Sequence, residues 1–183
     1  METRLVNTMA TAPTVEPTPD GRSLPGSLTG DTGFWLAKLG FAATRLFMQT
    51  LEPYGLRPKH YAVLAMLAEH GPRSQQAVGE ILNIDASTMV ALIDDLEGEG
   101  LAERRRNPTD RRAYAVHSTE KGEELRATAA RAIRAMDDHL VSPLDEAERI
   151  QLHDLLVRVA AAGHLPHAVP PGFSDASGCC RHG

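Results

Sequence analysis

The sequence has little cysteine, few aromatic residues and no long apolar run. Its two cysteines are adjacent, at Cys179 and Cys180, so they cannot form the spaced disulfide framework of a small secreted protein. No stretch of about 18 apolar residues is present to cross a bilayer, and the first residues show no signal-peptide pattern. We therefore expect a cytoplasmic protein that does not associate with membranes.

The sequence also lacks an excess of positive charge. Its formal net charge is −5 over 183 residues, which argues against a protein that binds nucleic acid with its whole surface. Any such binding must come from a local cationic patch. The length is that of one globular domain with loose ends.

Catalytic and metal-binding motifs are not found either. There is no glycine-rich phosphate loop, no zinc-protease helix and no nucleophile-and-base arrangement. A site near the carboxyl terminus would have to combine His164, His167, Cys179, Cys180 and His182, but adjacent cysteines seldom coordinate as well as spaced ones, and redox sensing by them is equally disfavoured. We expect no enzyme activity, no cofactor and no metal.

Proline and apolar content divide the chain into three parts. Residues 1–30 contain four prolines and few large apolar side chains, which predicts a disordered arm. Prolines return in residues 163–183, which predicts a flexible tail. The folded domain is expected to span residues 31–162.

Four helices are predicted before residue 100 from apolar side chains at three- and four-residue intervals. The first ends at Pro53, the second has Pro58 in its first turn, and Ser74 and Asp85 cap the third and fourth. The third and fourth are short and closely joined, which predicts a helix-turn-helix. The inward residues of the fourth helix are Met89, Leu92, Ile93 and Leu96.

An arginine-rich hairpin follows. Two strands are predicted, from Leu101 to Arg106 and from Arg112 to Ser118, with Tyr114 and Val116 facing inward. The intervening turn, residues 107–110, is built of residues that reverse the chain. Five arginines lie within nine positions: Arg104, Arg105, Arg106, Arg111 and Arg112. Such a hairpin holds cations against a polyanion, although a basic hairpin can also be merely a solvated surface.

Two further helices are predicted after the hairpin. Thr119 caps the first of them, and Ser142, Pro143 and Asp145 begin the last. Their apolar stripes can form an intrachain core, but the chain offers little else to bury them against. A subunit interface is therefore the favoured interpretation.

The order of helices, the short helix-turn-helix, the Asp110-Arg111-Arg112 turn and the Ser118-Thr119-Glu120-Lys121-Gly122 helix start resemble the MarR family of bacterial transcriptional regulators. The resemblance covers residues 34–162 and is most specific over residues 82–122. It implies a mainly α fold with a small β-hairpin wing: a winged helix-turn-helix plus a helical dimerisation region.

The resemblance also implies an assembly and a partner. Residues 31–55 and 119–162 would form the dimerisation helices of a homodimer, and residues 58–118 the winged helix-turn-helix. A dimer with two-fold symmetry would bind double-stranded DNA at a pseudo-palindromic operator. The expected function is that of a ligand-responsive repressor. The alternative is a helical dimer whose winged domain binds another protein without DNA.

The candidate DNA-binding residues lie on the fourth helix, at the third helix start and on the wing. Arg111 is expected to reach the minor groove, while Asp110 braces the wing. Of the first wing strand, either Arg104 and Arg106 or Arg105 alone would meet the DNA backbone. The full set is Ser74, Ala86, Ser87, Thr88, Val90, Ala91, Arg104, Arg106, Arg111 and Arg112.

The fourth helix departs from the family pattern. Relatives usually carry a polar residue and an arginine near Val90 and Ala91, and a basic residue near Asp95. We therefore expect modest base discrimination, with affinity depending mainly on the wing.

The resemblance further implies an effector in the crevice between the dimerisation helices and the winged domain. Trp35, Leu39, His60 and Tyr61 are the candidates to line it, although all four can equally be packing residues. A small aromatic or phenolic compound would suit such a wall.

Overall fold

The computed structural model describes residues 24–106 and 114–163. Within these ranges the chain is mostly helical, with one antiparallel hairpin. The predicted fold class is confirmed. The elements, in chain order, are α1 (Gly26–Thr29), α2 (Thr32–Leu51), a 3₁₀ turn (Glu52–Tyr54), α3 (Pro58–His70), α4 (Gln75–Leu82), α5 (Ala86–Gly98), β1 (Ala102–Arg106), β2 (Tyr114–Ser118), α6 (Glu120–Leu140) and α7 (Glu146–Ala162).

The chain divides into two compact units between Gly40 and Phe41. In the first unit, the indole N–H of Trp35 donates a hydrogen bond of 2.8 Å to the carbonyl of Thr29. This bond holds the end of α1 beside the start of α2. The last residues of the arm expected over residues 1–30 thus include one helical turn, and residues 1–23 lie outside the described ranges.

The core of the second unit is centred on α3, which packs against α4, α5, α6 and β2. The inward face predicted for α5 is confirmed, because all four of its apolar residues are buried. The largest fully buried side chains are Leu51, Leu64, Met89, Ile93, Leu96, Leu101, Val63, Val78 and Val116.

The link between α4 and α5 is a tight turn. Asn83 adopts a left-handed conformation with φ of 50°, and the N–H of Ile84 donates to the carbonyl of Gly79 at 2.9 Å. A Cβ on Gly79 would lie 3.0 Å from the carbonyl oxygen of Ile84, so the turn closes onto a residue without a side chain. The predicted helix-turn-helix follows from this geometry.

The hairpin pairs Ala102 with Ser118 and Arg106 with Tyr114. Val116 is buried, as predicted, and its N–H also donates to the carbonyl of Arg73 at 2.8 Å. The prediction that Tyr114 faces inward is wrong, since its side chain is half exposed. Tyr114 pairs with the last residue of β1, at the end of the hairpin away from the helical core.

The start of α6 is fixed by two close contacts. The hydroxyl of Thr119 accepts the N–H of Gly122 at 3.0 Å and donates to the carbonyl of Gly100 at 2.8 Å. Thr119 is thus the predicted cap, and it also ties α6 to the end of α5. A Cβ on Gly122 would lie only 2.0 Å from the carbonyl oxygen of Leu101.

The last helix, α7, begins with a reciprocal capping box in which Asp145 and Glu148 each accept the other's backbone N–H. It contains no buried residue in the single chain. Its exposed apolar side chains are Ile150, Leu152, Leu155, Leu156, Val157 and Val159. No helix in the described ranges is long and apolar enough to span a membrane.

We predict that Gly122→Ala destabilises the protein by about 1–3 kcal/mol, because the new methyl group overlaps the Leu101 carbonyl and forces α6 away from the hairpin. Gly98→Ala is the matched control, since nothing lies within 4 Å of a Cβ there. The control should be neutral or slightly stabilising. Urea unfolding of both variants measures the difference, and equal stabilities would contradict the contact.

Candidate nucleic-acid interface

The amino-terminal half of α5 presents a neutral, exposed face. Ala86, Ser87, Val90 and Ala91 are exposed and Thr88 is partly exposed. These are the residues predicted for the outward side of the helix. Hydroxyl groups can bond to base edges or phosphates, and small apolar groups can contact thymine methyls. Their contact with DNA stays a prediction.

The start of α5 is held by the carboxylate of Asp85. It accepts the Ser87 hydroxyl at 2.5 Å and the Thr88 N–H at 2.9 Å. These hydrogen bonds hold the pKa of Asp85 well below its usual range. Because the Ser87 proton is committed to the cap, its oxygen is left to act as an acceptor.

Ser74 holds the start of α4 in a similar way, since its hydroxyl accepts the N–H of Ala77 at 3.2 Å. Both short helices therefore begin at capped, exposed amino termini. Backbone N–H groups and the helix dipole favour phosphates at such ends. Whether Ser74 itself binds DNA stays a prediction.

The carboxyl-terminal half of α5 is acidic, and Arg104 of β1 lies against it. Nη1 of Arg104 is 2.8 Å from Oδ1 of Asp94 and also pairs with Glu97. Its Nη2 donates to Oε1 of Gln75 at 3.0 Å, and its backbone N–H donates to Glu97 at 2.5 Å. Arg104 thus joins the wing, α5 and the first residue of α4.

A second arginine, Arg57, pairs with the remaining acidic residue of α5, Asp95. Arg57, at the amino-terminal cap of α3, donates from Nη2 to Asp95. The same nitrogen lies 2.9 Å from Nε2 of His60, which is itself 3.4 Å from Oδ2 of Asp95. The three side chains form a junction between α3 and α5.

The imidazole of His60 is buried within this junction. Burial lowers its pKa below the ordinary value of 6.5, and the Arg57 cation lowers it further, against smaller opposing effects of the Asp95 and Glu99 carboxylates. His60 is therefore neutral at physiological pH. Its Nδ1 faces the backbone N–H of Arg57 at 3.5 Å, as in a capping box.

The other wing arginines differ in their surroundings. Arg105 pairs with Glu103 on its own strand; the bond raises the pKa of Arg105 and lowers that of Glu103. Arg106 is exposed, and no ion pair joins it to another residue in the described ranges. The predicted tip residues Arg111 and Arg112 and the predicted brace Asp110 lie outside the described residues.

The candidate effector residues fall in two separately described units. Trp35 packs edge-on against Phe34 at 5.4 Å, and Leu39 is half exposed. In the second unit, His60 belongs to the Arg57 junction, and Tyr61 packs edge-on against Phe47 at 6.0 Å. A ligand pocket shared by Trp35, Leu39, His60 and Tyr61 stays a prediction.

Sequence reasoning missed the side-chain partners of the arginines. Asp94, Glu97 and Gln75 surround Arg104, and Arg57 finds Asp95 across 38 positions of sequence. The one available signal was the absence of lysine and arginine from a helix expected to face DNA. Among the described residues, no group of three or more histidines, cysteines or carboxylates is arranged to hold a metal. The candidate tail residues, from His164 to His182, lie outside these ranges.

A capped helix-turn-helix followed by an arginine-rich hairpin defines a winged-helix protein. The MarR family profile matches residues 54–113. A putative transcriptional regulatory protein for the hcr operon of Thauera aromatica is 35% identical over 135 residues, which are 73% of this chain and 81% of that protein. The chain belongs to the MarR family of transcriptional regulators.

Solved structures agree with this assignment. The repressor CouR bound to a 23-mer DNA duplex superposes with a TM-score of 0.66 at 29% identity, over 76% of this chain and 99% of that one. CouR from Rhodococcus jostii RHA1 bound to p-coumaroyl-CoA gives a TM-score of 0.62 at 30% identity, over 78% and 98% of the two chains.

We predict that His60 makes stability depend on pH. Because its folded pKa is below 6.5, the unfolded chain binds the proton first, so stability should fall as pH decreases from about 6.5. In His60→Gln, the free energy of unfolding should fall less steeply as the pH decreases. The difference in slope should be at most about 1.4 kcal/mol per pH unit, which corresponds to the uptake of one proton.

Denaturant unfolding between about pH 7 and pH 5 measures this slope. His153→Gln is the control, because His153 is an exposed histidine on α7. Parallel curves for the wild type and His60→Gln would refute the prediction.

Proposed function

We propose that the protein is a cytoplasmic repressor, without enzyme activity, that binds a pseudo-palindromic operator in double-stranded DNA as a homodimer and is released by a small effector. The observation that carries the proposal is the neutral, exposed face of α5 beside an arginine-rich hairpin. The likeness to CouR, which was solved on a DNA duplex, supports the same arrangement.

In this proposal the two parts of the surface act differently. The outward residues of α5 enter the major groove, where Ser87 and Thr88 bond to base edges and Val90 contacts thymine methyls. Arg106 and Arg111 neutralise phosphates or enter the adjacent minor groove. Because α5 itself carries no cation, the wing supplies most of the electrostatic affinity.

The homodimer is supported by α7. Leu152, Leu155, Leu156 and Val159 recur at helical spacing as one exposed stripe. A contiguous exposed stripe of this kind marks an interface. A second copy of the chain would cover it and place two winged domains on successive turns of the duplex.

The effector is proposed to be a small aromatic or phenolic compound that binds near Trp35, Leu39, His60 and Tyr61. The p-coumaroyl-CoA complex of CouR supports this chemical class. The alternative, a winged domain that binds another protein instead of DNA, rested on the acidic surface and on the absence of basic residues from α5. Since Arg57 and Arg104 bring positive charge to the carboxylates of α5, that objection to DNA binding is reduced.

A duplex carrying the region upstream of the protein's own gene should bind with a log–log salt slope near −5, if each subunit neutralises about three phosphates. Arg111→Ala should weaken this binding by about 1–3 kcal/mol. Arg149→Ala, which removes an equal charge from α7, is the control. Titration by fluorescence anisotropy measures both variants, and an unchanged affinity for Arg111→Ala would remove it from the interface.

Leu156→Glu should convert the dimer to a monomer, because a charge would be buried in the proposed interface. Gln151→Glu adds the same charge at an exposed polar position of α7 and should remain dimeric. Sedimentation equilibrium distinguishes the two. A dimeric Leu156→Glu protein would place the interface elsewhere.

A further inference from the structure

The helix proposed to enter the major groove has the wrong charge for a polyanion. Over Ala86–Gly98 it carries Asp94, Asp95 and Glu97 and neither lysine nor arginine. These residues occupy its carboxyl-terminal half, whereas the proposed DNA-contacting residues occupy the other half. Unless these carboxylates are compensated, they repel the phosphate backbone at the range of the Debye length, about 10 Å.

Arg104 contacts two of these carboxylates at once, and its single positive charge offsets one of their two negative charges. Its guanidinium contacts Asp94 and Glu97, and the amide oxygen of Gln75 accepts a third bond. Only 25% of its side chain is exposed. A planar guanidinium that is shared between several acceptors fixes geometry as well as charge.

Arg57 compensates the remaining carboxylate from another element. It pairs with Asp95, and the neutral, buried His60 lies against both groups. The acidic half of α5 is thus joined by Arg57 to α3 and by Arg104 to the wing and α4. These contacts restrain how far α5 can turn or slide relative to its neighbours.

We propose that Arg104 is a positioning residue for DNA recognition, which together with Arg57 holds the acidic half of α5 so that its neutral half meets the bases. This inference rests on the proposed function. Arg104 does not act as a phosphate contact, because leaving Asp94 and Glu97 for a phosphate would expose two uncompensated carboxylates beside the DNA.

A phosphate contact and a positioning residue differ in their effect on DNA affinity. A phosphate contact contributes the same free energy to the binding of every DNA sequence. It also contributes about 0.9 to the slope of log affinity against log salt concentration. A positioning residue instead sets how well α5 fits its own site. Its loss therefore lowers the ratio of operator affinity to affinity for unrelated DNA.

The test uses the full-length protein with Arg104→Ala, Arg104→Lys, Glu97→Gln and the control Arg106→Ala. Affinities for the operator and for an unrelated duplex of equal length are measured over a range of salt, and folding is checked by thermal unfolding. Arg106 is the matched control because it is an exposed arginine two residues along the same strand.

For Arg104→Ala, the operator-to-unrelated ratio should fall about fivefold or more, with little change in salt slope. Arg104→Lys should recover part of the ratio, since the ammonium can still pair with one carboxylate. Glu97→Gln should also lower the ratio, although it removes a negative charge. Arg106→Ala should weaken both affinities equally and reduce the slope.

The inference is overturned if Arg104→Ala behaves like Arg106→Ala, or if Glu97→Gln strengthens both affinities and leaves their ratio unchanged. Should Arg104→Ala fail to fold, Arg104→Lys and Glu97→Gln decide the matter by the same ratio. A wild-type protein without operator preference would instead refute the proposed function, so the two failures are distinguishable.

Discussion

The pairing of arginines with the acidic end of α5 is the interaction on which the proposed DNA surface depends. Three carboxylates lie in one helix that has no cation of its own. Arg57 reaches them from α3 and Arg104 from β1, and these two elements also contribute buried side chains to the core around α5. Charge compensation and positioning are therefore achieved by the same contacts. The neutral half of the helix is left exposed as the surface that can approach a base pair.

A few close contacts also connect the wing to α5 and α6. Gly122 lets the Leu101 carbonyl approach the first turn of α6, and Thr119 bonds both that turn and the end of α5. The residue before β1 and the residue after β2 are therefore both held in place against the helices. Any change in the direction of α6 would be transmitted to these residues. The carboxyl-terminal end of α6 leads into α7, whose exposed apolar stripe is the surface proposed for the second subunit.

Local patterns predicted much of the fold. The buried face of α5 and the caps at Ser74, Asp85 and Thr119 depend on spacing and on adjacent backbone groups, which a sequence displays directly. Tyr114 was misplaced because strand alternation does not say where the core beneath a hairpin ends. Asp95 lies 38 positions from Arg57 and Gln75 lies 29 positions from Arg104, and contacts at such separations leave no periodic signal. Glu97 is only 7 positions from Arg104, but the chain reverses direction between them, so helical spacing does not reveal the contact. The charge of Arg104 predicted a phosphate contact from the sequence, whereas its pairing with Asp94 and Glu97 became visible only in the structure.

A structure of the protein bound to its operator would show whether Arg104 positions α5 on DNA. We expect its guanidinium to stay within hydrogen-bonding distance of Asp94 and Glu97, while Ser87 and Thr88 lie against base edges. A guanidinium that has left both carboxylates for a phosphate oxygen would contradict this expectation.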